Sequence, residues 1–296
     1  MFSNSVLGRQ ADEITVLGNA FLRKNRDKPF FLFLNYFDPH APYQPPKELL
    51  TRFLDESAFD ERTLSDPEAS ARYNLSLYDS EILFMDQEIG RLFDELKKLD
   101  LYEDSWIIVI SDHGELLGEH ELKGHGQTLY EPSVHCPMII KWPDAWTERP
   151  STEKPCQQVD IMPTIARRLH VEAGLHFEGQ PLGEITHPTV CELFRNPGFA
   201  ESKGPRFDRN LKAVYAGPYK MIVSTKEQDQ DAGLFDLLKD PGELIDLTAE
   251  KPDVIKSLKI LLERWSESLH NALPPKQIEN VDLETQKQLE ALGYGK

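Results

Sequence analysis

Two continuous apolar runs, separated by one long amphipathic segment, constrain the fold of this chain most strongly. The first run is PFFLFLNYF at 29–37, and the second starts with Trp106–Ile110 in SWIIVISDHG. Between them, about Arg72 to Leu99, apolar residues recur every three or four positions, which is typical of a helix with one packing face. Short apolar runs bounded by turn residues are typical of strands buried on both faces of a parallel sheet. The pattern predicts an α/β fold with a mostly parallel central sheet flanked by helices.

The rest of the chain extends this architecture and adds a smaller unit. Residues 10–26 predict an amphipathic helix, whose packing face we expect to be Ile14, Leu17, Ala20 and Phe21. A third apolar run lies at 136–143, and a further helix is expected at 159–169. We expect the α/β domain to span 1–200 and a small α+β subdomain to span 201–296. That subdomain has short alternating runs typical of an antiparallel sheet, a turn at 239–243 (KDPGE) expected to be type II, and a closing helix at about 252–270.

Charge and composition exclude several classes of function. The chain has 33 Lys and Arg residues against 50 Asp and Glu residues, a net charge of −17. Nucleic-acid binding depends on cations that neutralise phosphates, so we expect no nucleic-acid partner. No apolar run reaches the ~18 residues of a membrane span. Cys136, Cys156 and Cys191 form no C-x-x-C pair and predict neither a disulfide framework nor a zinc site. The first residues do not resemble a secretory signal. The sequence leaves both localisation and oligomeric state open.

Polar residues follow two of the predicted strands, where ligands bind in open α/β sheets. Asp112 and His113 follow the second strand, and a carboxylate beside an imidazole suits a divalent cation such as Ca²⁺, Mg²⁺ or Mn²⁺. The alternative is a plain turn, in which Asp112 caps the next segment and His113 lies on the surface. Two ligands alone are too few for a metal site.

Two further histidines are candidates on local evidence. His40, in DPHAPY after the first strand, could donate a proton or contact an oxyanion, or it could be structural in a rigid turn. His125 lies between two glycines, which permit close approach of a ligand, although a flexible loop would read the same way.

Taken together, five stretches resemble the sulfatase family of the alkaline phosphatase superfamily in order and spacing. They are FFLFLNYFDPHAPY, YDSEILFMDQEIGRLFDEL, WIIVISDHGELLGEH, KGHGQTLYEPSVHCPMIIKWP and VDIMPTIARRL. The terminal stretches AVYAGPYKMI, GLFDLLKDPGELIDL and ALGYGK are also similar. The resemblance implies an alkaline-phosphatase-like fold for the 1–200 domain and hydrolysis of sulfate esters, on small molecules or glycans.

The resemblance also implies roles for individual residues. Asp112 and His113 match the family's metal ligands, and the metal is usually Ca²⁺. His40 matches a histidine that contacts the sulfate or the leaving group. His125 stands where many members carry a lysine that contacts a sulfate oxygen. Such cations and metals stabilise the negative charge of the transition state.

The chain departs from the family pattern at the nucleophile. Members carry Cys or Ser in a Cys/Ser-x-Pro-x-Arg motif, and none of the three cysteines fits it; Ser65, in SDPEA, lacks the arginine. We therefore expect no nucleophile in this chain, and we expect it to correspond to the C-terminal portion of a sulfatase. An incompletely paired sheet would favour aggregation.

Three functions remain open at this stage. The first is a sulfatase that needs an additional N-terminal segment for catalysis. The second is a phosphoester or phosphonate hydrolase, or a phosphoglycerol transferase, of the same superfamily. The third is a catalytically inactive binding module that retains the fold.

Overall fold

A computed structural model describes residues 10–54, 66–150, 155–171 and 174–269. The helices are α1 (Ala11–Asn25), α2 (Lys47–Leu50), α3 (Pro67–Lys98), α4 (Glu131–Val134), α5 (Ile161–Leu169), α6 (Pro197–Lys203) and α7 (Pro252–Leu269). The strands are β1 (Ile107–Ile110), β2 (Leu116–Leu117), β3 (Lys123–Gly124), β4 (Met138–Lys141), β5 (Thr189–Leu193), β6 (Leu211–Ala216), β7 (Tyr219–Ser224) and β8 (Gly233–Asp236). Ser65 and the terminal ALGYGK stretch lie outside the described residues. None of the helices in the described ranges is long and apolar enough to cross a membrane.

The chain divides into two compact units. Of the described residues, the first unit comprises 10–54, 66–107 and 140–146, and the second comprises 108–139, 147–150, 155–171 and 174–269. Strands β1 and β4 pair with each other, and β2 pairs antiparallel with β3. The mixture of helices and strands agrees with the predicted α/β class. The predicted boundary between 200 and 201 stays a prediction.

In the first unit, α1 packs against α3, but through a different face from the predicted one. The buried positions of α1 are Ala11, Thr15, Gly18 and Leu22, whereas Leu17 is 47% exposed. A Cβ at Gly18 would lie only 3.0 Å from a Leu34 methyl, so the missing side chain allows close packing. The predicted packing face was therefore wrong by about one residue. Thr15 and Gly18 are buried against the neighbouring helix, whereas the apolar periodicity had predicted larger apolar residues there.

Residues 29–37 do not form the predicted strand. They have no strand assignment, and Phe31 and Phe33 are 73% and 77% exposed. The alternate residues Phe30, Leu32 and Leu34 pack against the core of α1 and α3. The period-2 burial shows a segment covered on one face, so the prediction of burial on both faces was wrong. A buried strand needs neighbours on both edges, and the described residues supply none here.

The second unit is built around a four-stranded antiparallel sheet of order β5–β6–β7–β8. This confirms the predicted antiparallel sheet and adds β5, which the sequence analysis missed. One sheet face packs on α7 through Leu258, which is 1% exposed. The other face packs on Leu129 and Tyr130, which precede α4. The sheet is thereby fixed to the loop that follows β3.

The turn at Asp240–Glu243 differs from the predicted type II turn. Type II geometry requires a positive φ at its third residue, Gly242. In the structure Glu243 carries the positive φ, 53°, and its N–H donates to Asp240 O at 3.1 Å. This places the Glu243 side chain in the interior, where it is fully buried.

Candidate functional site

The turn after β1 is held from several sides. Gly114 is required there, because a Cβ would lie 2.1 Å from the carbonyl oxygen of Pro132. The Gln158 amide donates from Nε2 to the carbonyl oxygens of Ser111 at 2.9 Å and Asp112 at 2.5 Å. Because these contacts hold the backbone of the turn, they also orient the side chains of Asp112 and His113.

Asp112 and His113 converge on one point at this turn. Asp112 Oδ2 lies 3.7 Å from His113 Nε2, a spacing at which both atoms can bind one cation, and the Asp112 side chain is 79% exposed. His113 Nδ1 lies 2.9 Å from Gly114 O. A carbonyl oxygen can only accept, so Nδ1 carries the proton and Nε2 of the neutral ring presents its lone pair. Asp112 Oδ1 also accepts from the His113 N–H at 2.9 Å, as the plain-turn alternative expects.

His125 lies against this pair. Its ring centroid is 4.0 Å from that of His113. His125 Nδ1 lies 3.1 Å from Glu115 Oε2, and this hydrogen bond raises the pKa of the imidazole. Positive φ values at Gly124 and Gly126, 86° and 71°, let the chain turn tightly on both sides of the ring. The structure therefore brings together three of the four predicted site residues.

Sequence reasoning missed two charged residues of this site. The Glu115 side chain is only 8% exposed. In the sequence, its position two residues after His113 is the one feature that points to it. Lys203, on α6, has its Nζ 4.8 Å above the ring of Phe199, and burial lowers its pKa. Phe199 in turn lies within 3.3 Å of the position that a Cβ of Gly126 would take. The spacing to His113 could have identified Glu115, whereas Lys203 gives no local signal.

His40 belongs to the first unit and is held by a buried carboxylate that the sequence analysis missed. Glu81, 4% exposed on α3, accepts from the His40 N–H at 3.2 Å and from the Gln44 N–H at 2.5 Å. Burial raises the pKa of Glu81 to about 7. The His40 ring lies 4.3 Å from the Phe37 ring, centroid to centroid, and its Nδ1 is 2.7 Å from Ala41 O. The DPHAPY turn is thus anchored to α3, which fixes the position of His40.

The donor set fits a divalent cation only in part. Asp112 and His113 supply an oxygen and a nitrogen at suitable spacing. Within the described ranges, no three His, Cys, Asp or Glu side chains are close enough to hold a metal together. The pair therefore supplies two donor atoms, which is fewer than a divalent-metal site needs.

Two family models match this chain. The sulfatase model covers residues 4–171, and the model of the N-sulphoglucosamine sulphohydrolase C-terminal region covers 118–271. An uncharacterized sulfatase of Escherichia coli, YidJ, is 26% identical over 242 residues, which are 75% of this chain and 47% of that protein. The chain spans about half the length of the curated relatives it matches.

Solved structures have the same fold. A putative sulfatase from Bacteroides fragilis aligns with a TM-score of 0.72 at 20% identity, over 90% of this chain and 60% of the other. A structure in complex with its substrate D-glucosamine-2-N,6-O-disulfate aligns with a TM-score of 0.68 at 18% identity, over 92% and 72%. A phosphonate monoester hydrolase of Agrobacterium radiobacter aligns with a TM-score of 0.64 at 20% identity, over 90% of this chain and 63% of the other. These likenesses confirm the α/β, alkaline-phosphatase-like fold class. The sulfatase model, which matches more than half of the residues, shows that the chain belongs to the sulfatase family of the alkaline phosphatase superfamily.

Proposed function

We propose that the natural protein containing this chain hydrolyses sulfate esters, and that sulfated glycans are its substrate class. The observation that carries this proposal is the convergence of Asp112, His113 and His125 at one strand end. Two metal-ligand types beside a cationic donor are what a sulfuryl-transfer site requires, because negative charge develops on the sulfate oxygens.

Sulfatases generally use a divalent metal, and we propose Ca²⁺ for this chain, with Mg²⁺ and Mn²⁺ as alternatives. Asp112 Oδ2 and His113 Nε2 would hold it. When bound, the cation supplies Lewis-acid polarisation of a sulfate oxygen. The Gly114 carbonyl contributes by keeping the His113 proton on Nδ1, so that Nε2 is available as a ligand.

His125 is proposed to donate a hydrogen bond to a sulfate oxygen. Glu115 accepts from Nδ1 and raises the pKa of His125, which favours the cationic form of the ring that this role requires. Lys203, stacked on the Phe199 ring near Gly126, adds positive charge beside this loop. His40 is proposed to contact the leaving-group oxygen and to protonate it on departure, a role that its anchoring by Glu81 would support.

The nucleophile is proposed to be none of the cysteines of this chain. Burial raises the pKa of Cys136, Cys156 and Cys191, so each thiol is a weaker nucleophile at neutral pH. None of the three has the Cys-x-Pro-x-Arg context. The reaction therefore depends on a nucleophile from another part of the natural protein.

A sugar as the carrier of the sulfate is supported by the relatives. One structural neighbour was solved with a sulfated glucosamine, and the model over 118–271 is that of a sulfoglucosamine hydrolase. The phosphonate hydrolase neighbour supports the second candidate, hydrolysis of phosphonate or phosphate esters at the same site.

The test compares hydrolysis of 4-nitrophenyl sulfate and 4-nitrophenyl phosphate by the natural gene product that contains this sequence. We expect kcat/KM to be higher for the sulfate. His125→Ala should lower it by about 10²-fold or more, whereas His135→Ala, at an exposed histidine ten residues away, should leave it within about twofold. A higher kcat/KM for the phosphate would favour the second candidate. Hydrolysis of neither ester would favour a binding module.

A further inference from the structure

A cavity of about 440 Å³ lies in the second unit, away from the residues assigned to hydrolysis. Ten described residues line it, drawn from the 119–121 turn, the residue before α4, the β7–β8 connection and the turn after β8. Its volume lies in the range of roughly 300–1,000 Å³ that small-molecule sites occupy. None of the proposed catalytic or metal-binding residues contributes to it.

One wall of this cavity is an aromatic platform. The His120 imidazole lies flat on the Tyr130 ring, with 3.6 Å between centroids and 5° between planes. Burial lowers the pKa of His120, which favours the uncharged ring at neutral pH. Leu244, which also lines the cavity, is 78% exposed and extends the apolar surface. Flat apolar surfaces of this kind suit the C–H face of a sugar ring.

The rest of the lining is polar but carries no free positive charge. Gln228 and Gln230 are exposed and present side-chain amides. Of the three carboxylates, Asp246 is exposed, whereas the Asp229 and Glu243 side chains are 2% and 0% exposed and are paired with Arg209 and Lys220. No lysine or arginine is among the ten lining residues. Amides and carboxylates are the usual partners of hydroxyl groups. The exposed Asp246 carboxylate would repel an anionic ligand, so the chemistry favours an uncharged one.

The backbone around the cavity is strained. Six non-glycine residues in the described ranges have φ in the left-handed region, and three of them, His120, Gln228 and Glu243, line this cavity, each with φ 53°. Such conformations persist only where the surroundings enforce them, and they are concentrated at functional sites. The strain fixes the backbone that carries the His120 imidazole and the Gln228 amide beside this space, whereas at Glu243 it turns the side chain into the interior.

We propose that this cavity binds an uncharged sugar ring, stacked on the His120–Tyr130 platform and held by the exposed side chains of Gln228, Gln230 and Asp246. The inference goes beyond hydrolysis, because binding at this cavity requires neither a metal nor a nucleophile. It assigns to the chain a second contact for a glycan, distinct from the one that would hold the sulfate.

The test is a titration of the full chain with methyl β-D-galactopyranoside and with N-acetyl-D-glucosamine, followed by saturation-transfer-difference NMR. We expect saturable binding of at least one of them. His120→Asn and Gln228→Asn should each weaken it by about fivefold or more. Asparagine tolerates the left-handed backbone, so both variants should retain the fold, which circular dichroism verifies. Gln87→Asn, at an exposed position on α3, is the matched control and should bind like the unchanged chain.

Galactose 6-sulfate tests the charge argument in the same experiment, and it should bind more weakly than the neutral sugars. The proposal would be overturned if neither neutral sugar bound saturably, if both cavity variants bound as tightly as the control, or if the sulfated sugar bound more tightly. Since the readout is binding, a failure here leaves the hydrolysis proposal standing, and the reverse also holds.

Discussion

Lys220 provides the sharpest test of how the second unit is held together. Its side chain, on β7, is fully buried, and Nζ lies 2.8 Å from Glu131 Oε1 and 2.8 Å from Glu243 Oε1. Tyr215 donates to Glu131 Oε1 at 2.8 Å, and the Glu131 N–H donates to Glu243 Oε2 at 2.6 Å. The network joins the start of α4 to the sheet and to the turn after β8.

Lys220→Met should destabilise this unit by about 3–5 kcal/mol, because it leaves the buried charge of Glu243 without its cation. Glu243 is fully buried, whereas Glu131 is 20% exposed and keeps its bond from Tyr215, so most of the loss arises at Glu243. In the variant, the two neighbouring carboxylates would have pKa values above those of the unfolded chain. The destabilisation should therefore shrink at low pH, where they are protonated, and grow as pH rises.

The assay is native-state hydrogen exchange of the 211–224 amides, which reports the free energy of opening this sheet locally. Lys212→Met on β6 is the matched control. Its ion pair with Glu192 is 2.8 Å long but partly exposed, so we expect a loss of about 1 kcal/mol or less. The combined change Lys220→Met, Glu131→Gln and Glu243→Gln should recover most of the stability. A loss below about 1 kcal/mol for Lys220→Met alone would refute the reasoning.

Three further predictions rest on the burial and contacts of individual side chains. Burial raises the pKa of Glu81 to about 7, so the stability that this group contributes is fully present below about pH 4.5 and is lost as pH rises through 7. Glu81→Gln should therefore flatten the dependence of the unfolding free energy on pH, measured by urea titration between pH 4 and 8. Phe31→Ser with Phe33→Ser should raise the concentration at which the chain aggregates, measured by light scattering, since both rings are largely exposed; an unchanged threshold would show that aggregation starts elsewhere. Glu115→Gln should lower the pKa of His125 in an NMR titration, because the variant loses the carboxylate that accepts from Nδ1; an unchanged pKa would contradict the assigned hydrogen bond.

The periodic pattern of apolar residues predicted the long helix α3 and part of its buried face. The apolar stripe of α3 is confirmed at its C-terminal half, where Leu92 and Leu96 are buried. At its N-terminal half, the predicted stripe residues Leu75 and Ile82 are 44% and 38% exposed, so these two positions face solvent. Periodicity identifies the face that can be buried, but the extent of burial depends on the segments that cover it.

Contacts between distant segments explain most of what the sequence did not show. Glu81 lies on the long helix and looks like an ordinary surface charge, yet it holds a turn about forty residues earlier in the chain. Lys203 approaches the His125 loop from α6 without any motif of its own. By contrast, Asp112, His113 and His125 could be predicted, because polar residues that directly follow an apolar strand mark the ligand-binding edge of an α/β sheet. Their roles remain predictions.

The most direct test of the central claim is a histidine side-chain ¹H–¹⁵N spectrum of the natural gene product that contains this sequence, recorded during titration with CaCl₂ and then with Na₂SO₄. If Asp112 and His113 hold the cation and His125 contacts the sulfate, Ca²⁺ should shift the His113 Nε2 signal and sulfate should shift that of His125. The exposed His176 should not respond, and Asp112→Asn should abolish the response to Ca²⁺. Equal small shifts at all three histidines, or a response to Ca²⁺ that survives Asp112→Asn, would contradict the account.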